Sequence, residues 1–242
     1  MIEPFTDKQF IETFKKHRGQ IPRDVLNVRL KLLQEGFDHY SYGHQNLDSL
    51  SYLWLIAKMF EPELIIEVGT CWGSSLSVWS CFSNTEIHAV DVSFRPWYSM
   101  QTKLYLKIKQ LTLHESCVSE VDFSSIIRGQ RTLVFWDAHD FPEKKVFQPV
   151  LIDRIMPLLT NTEHLIVLDD VAPVEADYTP GHEHLDGPYQ TFDGLLWGGF
   201  LEVKPFVEWV NHHQIAVYNP YEILNTYGHE CKTNKGIYFQ SP

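Results

Sequence analysis

Five short apolar runs, Leu64–Val68, Ile87–Val90, Leu111–His114, Thr132–Trp136 and His164–Leu168, recur along the middle of the chain, separated by stretches with helical patterning. The runs are rich in Leu, Ile and Val and show little apolar–polar alternation. Strands of that kind are buried on both faces, the condition of a parallel sheet covered by helices. The stretches Ser74–Ser83, Trp97–Gln110, Val121–Arg128 and Lys144–Leu159 supply the crossover helices that parallel neighbours require. Two later runs, Ile215–Tyr218 and Gly236–Phe239, lie closer together across 219–235 and predict an antiparallel tail.

The expected fold is therefore α/β: a Rossmann-like, seven-stranded, mostly parallel sheet with helices on both faces. A helical region precedes it. Thr6-Asp7-Lys8-Gln9 caps a helix to about His17, with Phe10, Ile11 and Phe14 on one stripe. Pro22 opens a second helix to about Gln34, closed by Gly36, and Asn46 or Asp48 caps a third that runs to Phe60. Residues 1–45 are read as an N-terminal helical cap and 46–242 as the main domain. Val203–His213 is amphipathic, with Phe206, Val207 and Val210 inward, and Ala172–Trp197 reads as one long irregular loop.

Charge narrows the function. Lys and Arg total 20 against 31 Asp and Glu, a net charge of −11. That excess repels phosphate backbones, so no nucleic-acid partner is expected, and Lys15-Lys16-His17-Arg18 is too short to offset it. The four cysteines, Cys71, Cys81, Cys117 and Cys231, share no metal-type spacing and suggest no disulfide framework. The N-terminus has no apolar leader, and the longest apolar run, Tyr52–Ala57, is far too short to cross a bilayer. The expectation is a cytoplasmic protein with no membrane contact.

In open parallel sheets ligands sit beyond the carboxyl ends of the strands, where strand order reverses. The first run is followed by Gly69-Thr70-Cys71-Trp72-Gly73-Ser74-Ser75. Two glycines four apart allow a tight turn and a close approach to ligand, and Ser74 and Ser75 open a helix whose free N–H groups attract a carboxylate. Glu67 is placed to accept from an ammonium. Asp91, ending the second run, suits a ribose diol, because both hydroxyls can donate to one carboxylate. Together these residues indicate a nucleoside-bearing cofactor. The dinucleotide pattern G-x-G-x-x-G is absent, with bulky Trp72 where a pyrophosphate would lie, and no G-x-x-x-x-G-K-[ST] occurs. The arrangement is compatible with S-adenosylmethionine.

The fourth and fifth runs end in acids, Asp137-Ala138-His139-Asp140 and Asp169-Asp170. If these strands are neighbours, Asp137, Asp169 and Asp170 converge, and clustered carboxylates call for protonation or a divalent cation. Such an ion would hold a substrate hydroxyl and lower its pKa. The alternative is that these acids cap the segments that follow. Of 12 histidines, His139 beside Asp137 is the candidate general base. His182-Glu183-His184 reads as polar surface, and His212-His213 as a cationic helix end.

Glu67–Ser75, Asp91, Asp137-Ala138-His139 and Asp169-Asp170 together resemble class I S-adenosylmethionine-dependent methyltransferases. The chain is most similar to the metal-dependent group of macrocin O-methyltransferase and cephalosporin hydroxylase-like proteins, over about residues 40–240. The resemblance implies methyl transfer to a hydroxyl of a small-molecule acceptor. It puts Glu67, Gly69, Thr70, Trp72, Gly73, Ser74, Ser75, Asp91, Ser116, Cys117 and Asp137 at the cofactor. Asp137, Asp169 and Asp170 would hold Mg²⁺, with Asp137 and His139 as the catalytic pair. Two departures stand out: Asp170 where catechol-type relatives place Asn, and Ala172 where macrolide relatives place His. A nicotinamide-dependent or hydrolytic enzyme on the same fold remains the alternative, as does a non-catalytic binding protein. The N-terminal helices could supply an interface to a homo-oligomer.

Overall fold

The computed structural model describes residues 7–17, 20, 23–27, 47–70, 73–93, 110–140, 143–169, 172–174, 190–192, 195–198, 203–214, 217–218 and 237–239. Its centre is the sequence β1 (Leu64–Val68), β2 (Glu86–Asp91), β3 (Leu111–Glu115), β4 (Thr132–Trp136) and β5 (His164–Leu168). These five pair in parallel in the order β3-β2-β1-β4-β5. β10 (Ile237–Phe239) adds antiparallel to β5, and β9 (Val217–Tyr218) antiparallel to β10. Strand order thus reverses between β1 and β4.

Alternate strand residues feed two cores, as the pleat demands. Ile65, Ile87, Leu133, Phe135 and Val167 join α1 (Asp7–His17), α2 (Leu47–Phe60) and α3 (Ser74–Trp79) on one face. Leu64, Ile66, Val134 and Ile166 join Phe147, Ile155, Phe206 and Val210 on the other. Phe10, Ile11 and Val25 are buried in the first cluster, so the described N-terminal residues pack into the same core as the sheet. Each such side chain contributes about 1.5–3 kcal/mol. The exposed Lys8–Glu12 pair at 4.0 Å is worth about 0.5 kcal/mol at most, so apolar burial decides how α1 docks.

The structure corrects three expectations. Val121–Arg128 is no helix: it is preceded and opened by two 3₁₀ turns, Val118–Glu120 and Phe123–Ser125. Asp122 Oδ1 accepts from the Ser124 N–H at 3.1 Å and the Ser125 hydroxyl donates to Asp122 O at 2.8 Å, local bonds that compete with helical ones. The segment predicted as a single helix from Lys144 begins as a π-helical stretch, Phe147–Ile155. It turns α-helical only in α4 (Met156–Leu159), where Pro157 falls at the helix start and its missing N–H costs nothing. The supposed irregular loop contains a three-stranded antiparallel sheet of β6 (Ala172–Val174), β8 (Leu195–Gly198) and β7 (Gln190–Phe192). Its signal was Asp193-Gly194 between apolar residues, the composition of a two-residue hairpin connection, in keeping with Phe192 pairing Leu195.

Other expected elements fall where read. α5 (Val203–His213) buries Phe206 and Val210, and His213 Nδ1 donates to Trp209 O at 2.9 Å, a helix-terminal role. The helix expected over Trp97–Gln110 lies outside the described residues apart from its last position, as do most of the second N-terminal helix and His182-Glu183-His184. Among the described residues no helix is long and apolar enough to cross a membrane. Cys81 and Cys117 are free thiols.

Candidate functional site

The point where strand order reverses is built around Gly69. Its φ of +87° is accessible to glycine, and a Cβ there would lie 2.3 Å from the backbone oxygen of Asp137. Two bonds fix this approach: the Gly69 N–H donates to Val90 O at 2.9 Å, and the Asp137 N–H donates to Val68 O at 2.7 Å. The chain then turns, with the Gly73 N–H donating to Thr70 O at 2.8 Å and Gly73 at φ +76°, and enters α3 at Ser74. The expected loop is therefore a backbone cradle at the carboxyl end of β1. Cys71, Trp72 and the side chain of Ser74 lie outside the described residues.

Buried polar groups converge beneath the cradle. Glu67 is fully buried; its Oε1 accepts from the Ser75 hydroxyl, and its Oε2 has no hydrogen-bond partner. Burial pushes its carboxyl up to about 8; nearby Asp137 and Asp91 add to the rise, while Ser75 and the indole of Trp79 pull the other way. Trp79 Nε1 and the buried Thr70 Oγ1 also lack partners. A buried polar atom without a partner costs about 1–3 kcal/mol, so three in one place mark a cavity wall shaped for something polar. The sequence reading missed Trp79. Its signal was the spacing Ser75–Trp79, which stacks both on one face of α3.

The nucleoside side lies at the end of β2. Asp91 Oδ1 accepts from the Ser93 N–H at 3.1 Å, while Asp91 O accepts from the Ser116 N–H at 3.0 Å, tying the end of β3 to it. Val92 beside it is an apolar side chain left 64% exposed. Cys117 Sγ lies 3.0 Å from Ser119 Oγ. Burial alone would raise the Cys117 thiol, but Ser119 and Lys144 together hold it below its usual range. Ser116 and Cys117 thus stand at this edge, as expected.

Asp137 and Asp169 end adjacent strands, and the Asp169 N–H donates to Trp136 O at 2.9 Å. His139 Nε2 lies 3.5 Å from Asp137 Oδ1, both partly buried. Asp140 has a structural part: buried, it accepts from the Val146 and Phe147 N–H groups at 2.7 and 2.9 Å and caps the π-helical stretch. Asp170 lies outside the described residues, and among those described no group of three His, Cys, Asp or Glu side chains could hold a metal ion. The metal site read from three acids is therefore not assembled by the residues described, and no chemistry is derived through it. A sulfonium nucleoside with an amino-acid tail does fit what is present: the cradle at Gly69, the orphaned carboxyl oxygen of Glu67 and the acid at Asp91.

Two histidines elsewhere are structural. His88 Nδ1 and His114 Nε2 are 2.9 Å apart with stacked rings, and Glu86 Oε1 accepts from His88 Nε2 at 2.9 Å. A cavity of about 320 Å³ lined by Lys58, Glu63, Phe82 and Thr85 lies at the opposite, amino end of β1 and β2.

No protein-family model matches the chain, and no curated protein does. Solved structures do. The S-adenosylhomocysteine-bound methyltransferase PaMTH1 of Podospora anserina is 14% identical over 100% of this chain and 99% of that one, with a TM-score of 0.54. The O-methyltransferase from Bacillus cereus in complex with S-adenosylhomocysteine is 10% identical over 90% and 89%, with a TM-score of 0.54. The O-methyltransferase TomG from Streptomyces achromogenes, involved in tomaymycin synthesis and bound to S-adenosylmethionine, is 13% identical over 91% and 88%, with a TM-score of 0.52. At such identities the likeness is one of fold: the chain has the α/β fold of these methyltransferases.

Proposed function

We propose that the protein transfers a methyl group from S-adenosylmethionine to a hydroxyl of a small molecule. The observation that carries this reading is the backbone cradle at Gly69, set at the strand-order reversal above the unpartnered oxygen of Glu67. A parallel sheet binds its ligand there, and the buried carboxyl suits an ammonium at that depth. Asp91, on the neighbouring strand, would take the ribose hydroxyls. When bound, the cofactor supplies an electrophilic methyl on a sulfonium. The resemblance to the macrocin O-methyltransferase-like group belongs to this proposal and rests on Asp137-Ala138-His139 and Asp169-Asp170.

The protein's own chemistry is then positioning and proton removal. His139 Nδ1 takes the acceptor's hydroxyl proton, while Asp137, 3.5 Å from Nε2, orients the ring and stabilises the imidazolium. That separation is long for a hydrogen bond and is of the kind that tightens once substrate is bound. His139→Ala is expected to lower kcat/KM by about a hundredfold or more with S-adenosylhomocysteine affinity unchanged. An unchanged rate across pH 6–9 would remove His139 from the reaction.

The function is tested by calorimetric titration with S-adenosylhomocysteine and, separately, NAD, followed by methyl-transfer assays with and without chelator. Binding of S-adenosylhomocysteine alone, with turnover on hydroxylated acceptors, is the expected result. NAD binding alone would replace the reading with a nicotinamide-dependent one, and cofactor binding without turnover on any acceptor would favour a non-catalytic protein. Turnover lost to chelator and restored by Mg²⁺ would bring a divalent cation back to Asp137, Asp169 and Asp170. Undiminished turnover would remove it.

A further inference from the structure

Glu67 raises a question of proton accounting that its neighbours answer. The side chain is fully buried on the face of β1 that meets α2 and α3. The registered partners of Glu67 are Ala89 on β2 and Phe135 on β4, neither of which can hydrogen-bond or carry charge. From α3 it meets two neutral donors, the Ser75 hydroxyl on Oε1 and the Trp79 indole, which bears on it without reaching hydrogen-bond geometry. The charged groups that bear on it are Asp137 from the end of β4 and Asp91 from the end of β2, both acids. α3, Ser74–Trp79, carries no ionisable side chain at all. An anion here would face two like charges and leave Oε2 unsatisfied, which is the arrangement that holds a carboxyl in its neutral form.

We propose that Glu67 holds a proton while the cleft is empty and gives it up when the cofactor's α-ammonium arrives, so that cofactor binding expels a proton to solvent. The inference rests on the reading of the cleft as an S-adenosylmethionine site. The balance is simple. A neutral carboxylic acid and an ammonium become a carboxylate–ammonium pair, and one proton leaves to buffer. If the pair instead shares its remaining proton as acid and amine, the count is the same. Ser75 keeps donating to Oε1 throughout, so it positions the carboxyl in both states. Glu67 thereby reads the charge of the incoming group: an ammonium displaces the proton, whereas a neutral analogue has nothing to exchange for it.

Isothermal titration calorimetry with S-adenosylhomocysteine at pH 6.5, in buffers of different ionisation enthalpy, measures the release directly. Wild-type protein is expected to release about one proton per ligand bound, and its affinity to rise about tenfold from pH 6 to pH 7. Glu67→Gln, a neutral isostere that keeps the Ser75 bond, is expected to release none and to show a flat affinity over that range. Wild-type binding without proton release, or equal release by both variants, would overturn the proposal. An independent arm needs no ligand: the infrared C=O band of a protonated carboxyl at pH 6.5, present in wild type and missing from Glu67→Gln. Failure of both variants to bind would overturn the cofactor reading and the release step with it. The band would still decide the protonation: present, it upholds the neutral acid; absent, it overturns that too.

Discussion

Replacing Gly69 by alanine is expected to lower the melting temperature by about 6–12 °C and to abolish S-adenosylhomocysteine binding. The new methyl would stand 2.3 Å from the Asp137 carbonyl oxygen and 2.6 Å from its carbon, distances no real Cβ tolerates. Neither backbone can yield cheaply. β1 is held to β2 by the Gly69–Val90 bond and to β4 by the bond from the Asp137 N–H to Val68, so relief means breaking the ladder at the strand-order reversal. Left-handed φ adds about 1–2 kcal/mol and the clash about 1–3 kcal/mol more. Gly129 provides the control. Its φ is +92°, yet nothing lies within 4 Å of its would-be Cβ. Gly129→Ala should therefore cost only the backbone strain, about 1–2 kcal/mol, and leave ligand affinity alone. Equal losses in the two variants would show that conformation, and not the close approach to Asp137, makes Gly69 necessary.

The same contrast explains what could be read in advance. Gly69 and Glu67 were legible because the constraint is local: a buried run ending in Glu-Val-Gly places a turn and an acid at one strand end. The five parallel strands were legible for a related reason, since runs such as Leu64–Val68 and Thr132–Trp136 are apolar at every or nearly every position and can only be central. What the sequence withheld was pairwise. Nothing in the spacing of Asp137 and Asp140 says that one faces the cleft while the other turns inward to cap the π-helical stretch. The two acids differ by three residues and by the partners that tertiary structure brings them. The failed helix at Val121–Arg128 has a similar origin. Its composition permits a helix, but Asp122 with Ser124 and Ser125, and Arg154 donating to Ser119 O and Val121 O from 33 residues or more away, hold it in tighter turns. The small β6-β8-β7 sheet was missed for want of length alone, as strands of three or four residues barely establish a period.

Glu67 also predicts how the empty protein responds to pH, with a sign opposite to that of most carboxylates. Its carboxyl titrates at about 8 in the folded chain against 4.5 when unperturbed. Below pH 4.5 both folded and unfolded states hold the proton, and the group contributes nothing to the difference. Between 4.5 and 8 only the folded state holds it, so the unfolded state binds fewer protons and stability falls as pH rises. Above 8 both have lost it and the cost is complete. From pH 5 to pH 7 the loss is roughly 3 kcal/mol, a sizeable part of the 5–15 kcal/mol that domains possess. Glu67→Gln removes this slope, because a glutamine fills the same space with no proton to lose. Urea unfolding of both proteins from pH 5 to pH 8.5 should give similar stabilities at the acid end and a growing advantage for the variant towards pH 8. Parallel curves would sink the idea. A chain selected for stability alone would do better with the glutamine, and Ser75 would bond to it equally well. What glutamine cannot do is become an anion when a cation reaches it. Ligand binding adds stability to the folded state in proportion to the logarithm of its occupancy. The cost of Glu67 is therefore offset only in the loaded protein, so the pH at which the empty form weakens is also the pH at which it gains most from its ligand.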